Sequence, residues 1–80
     1  MPPTRADKTR KAFAQVLKEV RRRQEITQKE VSKRAGLHPN YASLLERAER
    51  QPTLDVILRL GKALSVAPEE LVRRTSEELS

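Results

Sequence analysis

The 80-residue sequence contains no cysteine, one histidine and only two aromatic residues, Phe13 and Tyr41. Without cysteine the chain can form neither disulfides nor thiolate metal sites, and a single histidine excludes a histidine-cluster metal site. Two aromatic rings do not provide the platform on which the bases of single-stranded nucleic acid stack. We therefore expect no metal and no cofactor, and we expect a short chain with a modest core to be stabilised by helix packing and self-association.

Long apolar segments are also absent. No apolar run is longer than three residues, as at Val56–Leu58, and the first ten residues contain no apolar stretch of the kind found in secretory signals. The sequence contains no glycine-rich phosphate loop, and its one histidine has no serine–aspartate arrangement nearby. We therefore expect no membrane association, no catalytic residues and no enzymatic activity.

Positive charge is concentrated in one part of the chain. The formal net charge is +6, and residues 1–50 contain 13 Lys and Arg against 6 Asp and Glu, whereas residues 51–80 contain 4 against 5. Such an excess favours a polyanionic partner such as nucleic acid, although lysine and arginine also serve merely to solvate helix surfaces.

The basic part contains two short predicted helices separated by a tight turn, over Thr27–Glu46. Thr27 and Glu30 have the spacing of a capping box, in which the hydroxyl and the carboxylate each accept a backbone N–H. Gly36 stands where the first of these helices should end, at a position that needs a left-handed backbone. Pro39 is expected to occupy the first position of the second helix, residues 39–47.

The apolar spacing predicts three further helices around this pair, and so an all-α fold, a compact bundle of five short helices. Helix one is expected over residues 7–24, helix four after the N-cap Thr53, and the last helix from Pro68. The domain should span residues 7–75, between a disordered N-terminal arm at 1–6 and a frayed C-terminus at 76–80.

Helix four has two apolar stripes, which predict a buried side and an interface. We assign the first stripe to the core: Leu54, Ile57, Leu58, Gly61 and Leu64. We assign the second stripe to a dimer interface, which it forms together with the start of the last helix: Val56, Leu60 and Ala63.

This pattern resembles the helix-turn-helix of the Cro/cI-type (Xre) family of bacterial and phage regulators, which includes short phage-type repressors and restriction–modification controller proteins. The segment that carries the resemblance is ITQKEVSKRAGLHPNYASLLERAERQPTLDVILRLGKALSVAPEEL, residues 26–71, and the likeness extends over about residues 8–73. The resemblance implies a lambda-repressor-like DNA-binding domain and a structural ion pair between Arg21 and Glu46. The family usually has Gly or Asn at the position of Glu25 and Gly at that of Ala48, so we expect a looser turn at the first and a longer third helix at the second.

The resemblance also predicts the residues that contact double-stranded DNA. Four residues of the third predicted helix are expected at the bases: Asn40, Ser43, Leu44 and Pro39. Five residues are expected at the phosphates: Gln28, Lys29, Tyr41, Arg47 and Arg50. Tyr41 has an alternative role as a ring that anchors the helix junction, and His38 is interpreted as a turn residue.

One recognition helix reads few base pairs, and related repressors pair about a two-fold axis. We therefore expect a homodimer that binds a palindromic operator and represses transcription, located in the bacterial cytoplasm and on the nucleoid when DNA-bound, with no small-molecule site. The alternative is an antitoxin-like or adapter module whose main task is to bind a protein. RNA is a less suitable partner, because its A-form groove does not admit a recognition helix.

Overall fold

The computed structural model describes all 80 residues, Met1–Ser80, and contains five α-helices and no β-strand. In chain order the helices are α1 (Arg5–Arg23), α2 (Gln28–Arg34), α3 (Tyr41–Glu46), α4 (Leu54–Leu64) and α5 (Pro68–Glu78). The predicted all-α class and the number of helices are therefore confirmed. None of the five helices combines the length and the apolar composition that crossing a membrane requires.

Apolar side chains from all five helices meet in one core. The central helix α1 contributes the four residues that its spacing predicts to be buried: Phe13, Val16, Leu17 and Val20. Leucines of α1, α3, α4 and α5 complete the centre and have almost no contact with solvent: Leu17, Leu45, Leu60, Leu64 and Leu71. Full burial of one such side chain contributes about 1.5–3 kcal/mol, so this cluster stabilises the packing of α3 against α1.

The buried side of α4 differs in part from the predicted one: Gly61 and Leu64 are buried and Ile57 packs against the core, as predicted. Val56 and Leu60 lie in the core and Ala63 packs against it, whereas Leu54 and Leu58 are 71% and 50% exposed. Both sides of this helix are apolar, so periodicity alone could not decide which side faces α2 and α5. Because Val56 and Leu60 are buried within their own chain, the dimer interface predicted on Val56, Leu60 and Ala63 is wrong.

Helix α1 begins two residues earlier than predicted, because Thr4 and Asp7 form a capping box. Thr4 Oγ1 accepts the Asp7 N–H at 3.1 Å, and Asp7 Oδ2 accepts the Thr4 N–H at 2.9 Å. Arg5 and Ala6, which were predicted to belong to a disordered arm, are therefore helical. At the other end of the chain α5 continues to Glu78, inside the segment predicted to fray.

Helices α1 to α4 each end at a residue with a left-handed backbone: Glu25 (φ 56°), Gly36 (φ 71°), Ala48 (φ 58°) and Ser65 (φ 54°). At each end the N–H of the following residue donates to the carbonyl five residues earlier, as in a Schellman motif. Gly36 adopts this conformation without steric cost, whereas a residue with a Cβ pays roughly 1–2 kcal/mol. The expected extension of α3 at Ala48 is wrong, because Ala48 ends the helix as glycine would.

Candidate nucleic-acid interface

Ser32 fixes the start of α3 against α2. Its side chain is fully buried, and its Oγ donates to the Gln28 carbonyl and accepts the Ala42 N–H, both at 2.9 Å. The Ala42 N–H belongs to the first turn of α3 and has no partner within that helix, so a neighbouring helix completes it. The sequence carried no signal for this link, because it depends on which helix end lies above Ser32 in the fold.

The start of α3 differs from the prediction. The helix begins at Tyr41, and Pro39 and Asn40 form the preceding turn. His38 Nδ1 accepts the Asn40 N–H at 3.1 Å, and the His38 carbonyl accepts the Tyr41 N–H at 2.9 Å. Pro39 is therefore not the first helical residue, and the Asn40 side chain makes no capping hydrogen bond.

The structure brings Arg21 and Glu46 together in a bidentate ion pair. Arg21 Nε donates to Glu46 Oε2 at 2.7 Å and Arg21 Nη2 donates to Glu46 Oε1 at 3.0 Å, while the side chains are only 12% and 1% exposed. A third guanidinium bond reaches the Ile26 carbonyl at 2.8 Å. The bonds to Glu46 raise the pKa of Arg21 above its ordinary value despite the cost of desolvation.

The predicted base-reading residues lie on the outer side of α3. Asn40, Ser43 and Leu44 follow the i, i+3, i+4 spacing of one helix face, whereas Ala42 and Leu45 are buried in the core. Asn40 and the preceding Pro39 are exposed, and Ser43 and Leu44 are half-buried. None of the four is fully buried.

The predicted phosphate-binding residues fall into different environments. Lys29 and Arg50 are exposed, and Arg47 is exposed and paired with Glu49. The ring of Tyr41 packs against the core, as expected of an anchoring ring. Gln28 is half-buried, and its Nε2 donates to Glu46 Oε1 at 3.1 Å, so the buried ion pair orients this amide.

Gln28 opens α2 behind the N-cap Thr27, whose hydroxyl accepts the Glu30 N–H at 3.0 Å. The predicted return bond to the Glu30 carboxylate is not formed; that carboxylate accepts from Arg34, one turn further along. The N-terminal end of α2 is thus capped by one bond rather than two.

Helix α2 is capped at its start, and a tight turn at Gly36 follows it. Helix α3 is then held from behind by Ser32 and Glu46. No group of three or more His, Asp or Glu side chains is placed to bind a metal ion. A family model described as "Helix-turn-helix" matches residues 17–71. The chain belongs to this helix-turn-helix family.

The relatives of this helix-turn-helix protein are regulators. A protein of Sinorhizobium fredii (strain NBRC 101917 / NGR234), described as an uncharacterized HTH-type transcriptional regulator, y4dJ, is 43% identical over 58 residues, which is 72% of this chain and 75% of that protein. The crystal structure of the restriction-modification controller protein C.AhdI from Aeromonas hydrophila has a TM-score of 0.75 at 34% identity, over 78% of this chain and 94% of that chain. The Cro/cI-type fold and the class of DNA-binding transcriptional regulator are thereby confirmed.

A more distant structure shows the same fold. The clp gene regulator ClgR from Corynebacterium glutamicum superposes with a TM-score of 0.82 over 90% of this chain and 94% of that chain. Its sequence identity is 19%, so this likeness shows the arrangement of the helices alone.

Proposed function

We propose that this helix-turn-helix protein is a sequence-specific transcriptional repressor that binds double-stranded DNA as a homodimer, with α3 in the major groove. One observation carries the proposal. The fold holds α3 from behind through Ser32 and Glu46, while the Asn40 and Ser43 side chains make no hydrogen bond within the chain. These two polar side chains are therefore free to bond bases.

The side chains on this face suit the edges of base pairs. An asparagine amide can bond N6 and N7 of adenine together, a serine hydroxyl can either donate or accept, and an apolar side chain such as Leu44 can contact the thymine methyl group. Gln28, Lys29, Arg47 and Arg50 are proposed to bind the flanking phosphates, which position the protein without reading sequence. The similarity to a restriction-modification controller protein at 34% identity supports a regulatory role.

An apolar surface on α4 and α5 supports the homodimer. Leu54 and Leu58 lie one turn apart on α4 and are 71% and 50% exposed. Beside them is a cavity of about 140 Å³ that is lined only by uncharged residues: Thr9, Phe13, Gln51, Pro52, Ile57, Val72 and Thr75. Two copies of a chain of net charge +6 repel each other least where their contacting surfaces have little charge. We therefore propose that this apolar surface, made by Leu54, Leu58 and the cavity, replaces the interface predicted from the sequence.

Selection of bound DNA from a random pool tests the base-reading role. The wild-type protein should yield a palindromic consensus whose half-sites lie about one turn, ~34 Å, apart. Asn40→Ala should relax one position in each half-site by about 1–3 kcal/mol, because a bidentate contact is lost. Ser76→Ala, on an exposed part of α5, serves as the matched control and should leave the consensus unchanged. Recovery of unrelated sequences by the wild-type protein would contradict sequence-specific binding.

The same apolar surface supports a second candidate, an antitoxin-like or adapter module that binds a different protein. Sedimentation at tens of micromolar, with and without the selected DNA, distinguishes the homodimeric repressor from the adapter module. A dimer favours the repressor. A monomer in both conditions, together with an unrelated partner protein bound at Leu54 and Leu58, would favour the adapter module.

A further inference from the structure

Helix α3 begins in a different way from the three helices that threonines cap. Thr4, Thr27 and Thr53 precede α1, α2 and α4 with an extended backbone, and each hydroxyl accepts the N–H of the third residue after it. Asn40 precedes α3, and asparagine is among the residues preferred for such a cap. Its backbone is nevertheless helical (φ −92°, ψ −1°), and its side chain forms no capping bond. The asparagine therefore stands where a cap is expected without acting as one.

Ser32 of α2 supplies the missing bond. The Ala42 N–H, in the first turn of α3, donates to Ser32 Oγ at 2.9 Å, and the Ser32 hydroxyl donates to the Gln28 carbonyl at 2.9 Å. A carbonyl can only accept and a backbone N–H can only donate, so the one hydroxyl satisfies both groups. Ser32 and Ala42 are fully buried, so solvent does not compete for this bond. A side chain of α2 thus caps α3 in place of a residue at the start of α3.

A second arrangement of this junction would use Asn40 instead. With an extended backbone, the Asn40 side chain could accept the Ala42 N–H, as an ordinary N-cap does. That rotation would break the turn in which the Tyr41 N–H donates to the His38 carbonyl at 2.9 Å. It would also commit the amide oxygen to the protein, and reading adenine requires that oxygen together with the amide nitrogen. While Ser32 bonds Ala42, the second arrangement gains no hydrogen bond and loses one.

We infer that Ser32 is a positioning residue for DNA recognition, whose hydroxyl caps α3 and so leaves the Asn40 amide free to read a base. The inference rests on the proposed base-reading role of Asn40. Ser32 does not itself contact DNA, because it is fully buried. Alanine in its place would leave the Ala42 N–H buried without a partner, which is strongly unfavourable. The Asn40 amide would then turn back to accept that N–H and would no longer be available to the base.

A double-mutant cycle on the full chain tests this coupling. The proteins compared are the wild type, Ser32→Ala, Asn40→Ala and the double variant, and the control Thr4→Ala removes a capping hydroxyl from α1. Fluorescence anisotropy gives the affinity for the selected duplex and for a duplex changed at the base pair that Asn40→Ala relaxes. The preference is the ratio of these two affinities. A variant with fewer folded molecules binds both duplexes less, so instability alone leaves the preference unchanged.

Asn40→Ala should lower the preference by about 5- to 150-fold, which corresponds to the loss of one bidentate base contact. Ser32→Ala should lower it by at least about 2-fold, the smallest coupling found between residues of one hydrogen-bond network. In the Asn40→Ala background the Ser32 substitution should have no effect on the preference, because no amide remains to be captured. Thr4→Ala should keep the wild-type preference.

Thermal midpoints of the DNA-free proteins provide a second measurement. Asn40→Ala should leave the wild-type midpoint unchanged, because the Asn40 side chain forms no capping bond there. The same substitution should lower the midpoint of Ser32→Ala, in which the amide caps α3. If Ser32→Ala does not fold, Ser32→Cys takes its place, since a thiol has a similar size and is only a weak acceptor. Ser32→Cys should then show both effects, the lower preference and the dependence of its midpoint on Asn40.

An unchanged preference in Ser32→Ala, or an equal loss of preference with and without the Asn40 amide, would overturn the inference. Either result would leave the proposed function intact if Asn40→Ala still lowered the preference of the wild type. A lower midpoint for Asn40→Ala alone would also overturn the inference, because the side chain would then already cap α3. If Asn40→Ala relaxed no base pair, the base-reading role of Asn40 and this inference would both fail.

Discussion

Glu46 is a buried carboxylate that accepts three hydrogen bonds, two from Arg21 and one from Gln28. Its removal would leave the Arg21 charge buried without a counter-ion. We predict that Glu46→Ala lowers the free energy of unfolding by about 3–5 kcal/mol in urea titrations. Glu49→Ala removes the partner of the exposed Arg47 and should cost less than about 1 kcal/mol. Equal losses of unfolding free energy in Glu46→Ala and Glu49→Ala would mean that burial of the Arg21–Glu46 pair has no energetic effect.

Ala48 is a residue whose replacement should stabilise the protein. Its φ of 58° disfavours any side chain with a Cβ, so Ala48→Gly should raise the free energy of unfolding by about 1 kcal/mol. Ala35→Gly is the control, because Ala35 has an ordinary φ of −81° and the change should destabilise the protein. Thermal denaturation by circular dichroism measures both. A lower midpoint for Ala48→Gly would show that its left-handed backbone costs little.

At the scale of a single helix, α5 has a pH-dependent cluster of charges. Glu70 accepts hydrogen bonds from Arg73 and Arg74, which lower its pKa to about 2 from an ordinary value of 4.5. Because the folded pKa is the lower one, this cluster stabilises the protein above about pH 4.5 and loses its effect as the pH falls toward 2.

The thermal midpoints of the wild type and Glu70→Gln should therefore differ most near neutral pH and converge near pH 2. Glu69→Gln removes a neighbouring carboxylate that forms no ion pair, and it should show no such convergence. Circular dichroism melts at a series of pH values would test this. If the thermal midpoints of the wild type and Glu70→Gln differed by the same amount at every pH, titration of Glu70 would not be the cause of that difference.

The helices also show what the sequence can predict. Thr27 and Thr53 cap α2 and α4 as predicted, because a cap depends on residues only a few positions away. The orientation of α4 could not be predicted, because both of its sides are apolar and packing against α2 and α5 made the choice. The candidate site also has features that the sequence can predict and features that it cannot. The outward face of α3 follows from its local spacing, whereas the Ser32 bond and the Gln28 bond to Glu46 depend on tertiary contacts.

At the scale of the whole molecule, shape and charge bear on the proposed homodimer. The molecule measures 35 × 22 × 22 Å, so its longest dimension is close to the ~34 Å of one DNA turn. The proposed homodimer requires two copies whose α3 helices lie on successive turns of one face of the duplex.

A lysine in the proposed interface should prevent this pairing, because like charges would meet across the two-fold axis. We predict that Leu54→Lys sediments as a monomer at tens of micromolar under conditions in which the wild type is dimeric. Leu79→Lys adds the same charge at a leucine that is 47% exposed and does not line the cavity, and it should remain dimeric. If Leu54→Lys and Leu79→Lys both formed dimers, the dimer interface would lie elsewhere on the molecule.

The bond between Gln28 and Glu46 joins two properties that a regulator could otherwise lose independently. The carboxylate that neutralises Arg21 also orients an amide proposed to hold the DNA backbone. A mutation at Glu46 would then have two consequences in a cell, fewer folded molecules and weaker attachment of each remaining molecule to its proposed operator. The two deficits would multiply, so under the proposed repression the controlled genes would be released more completely than either loss alone would explain.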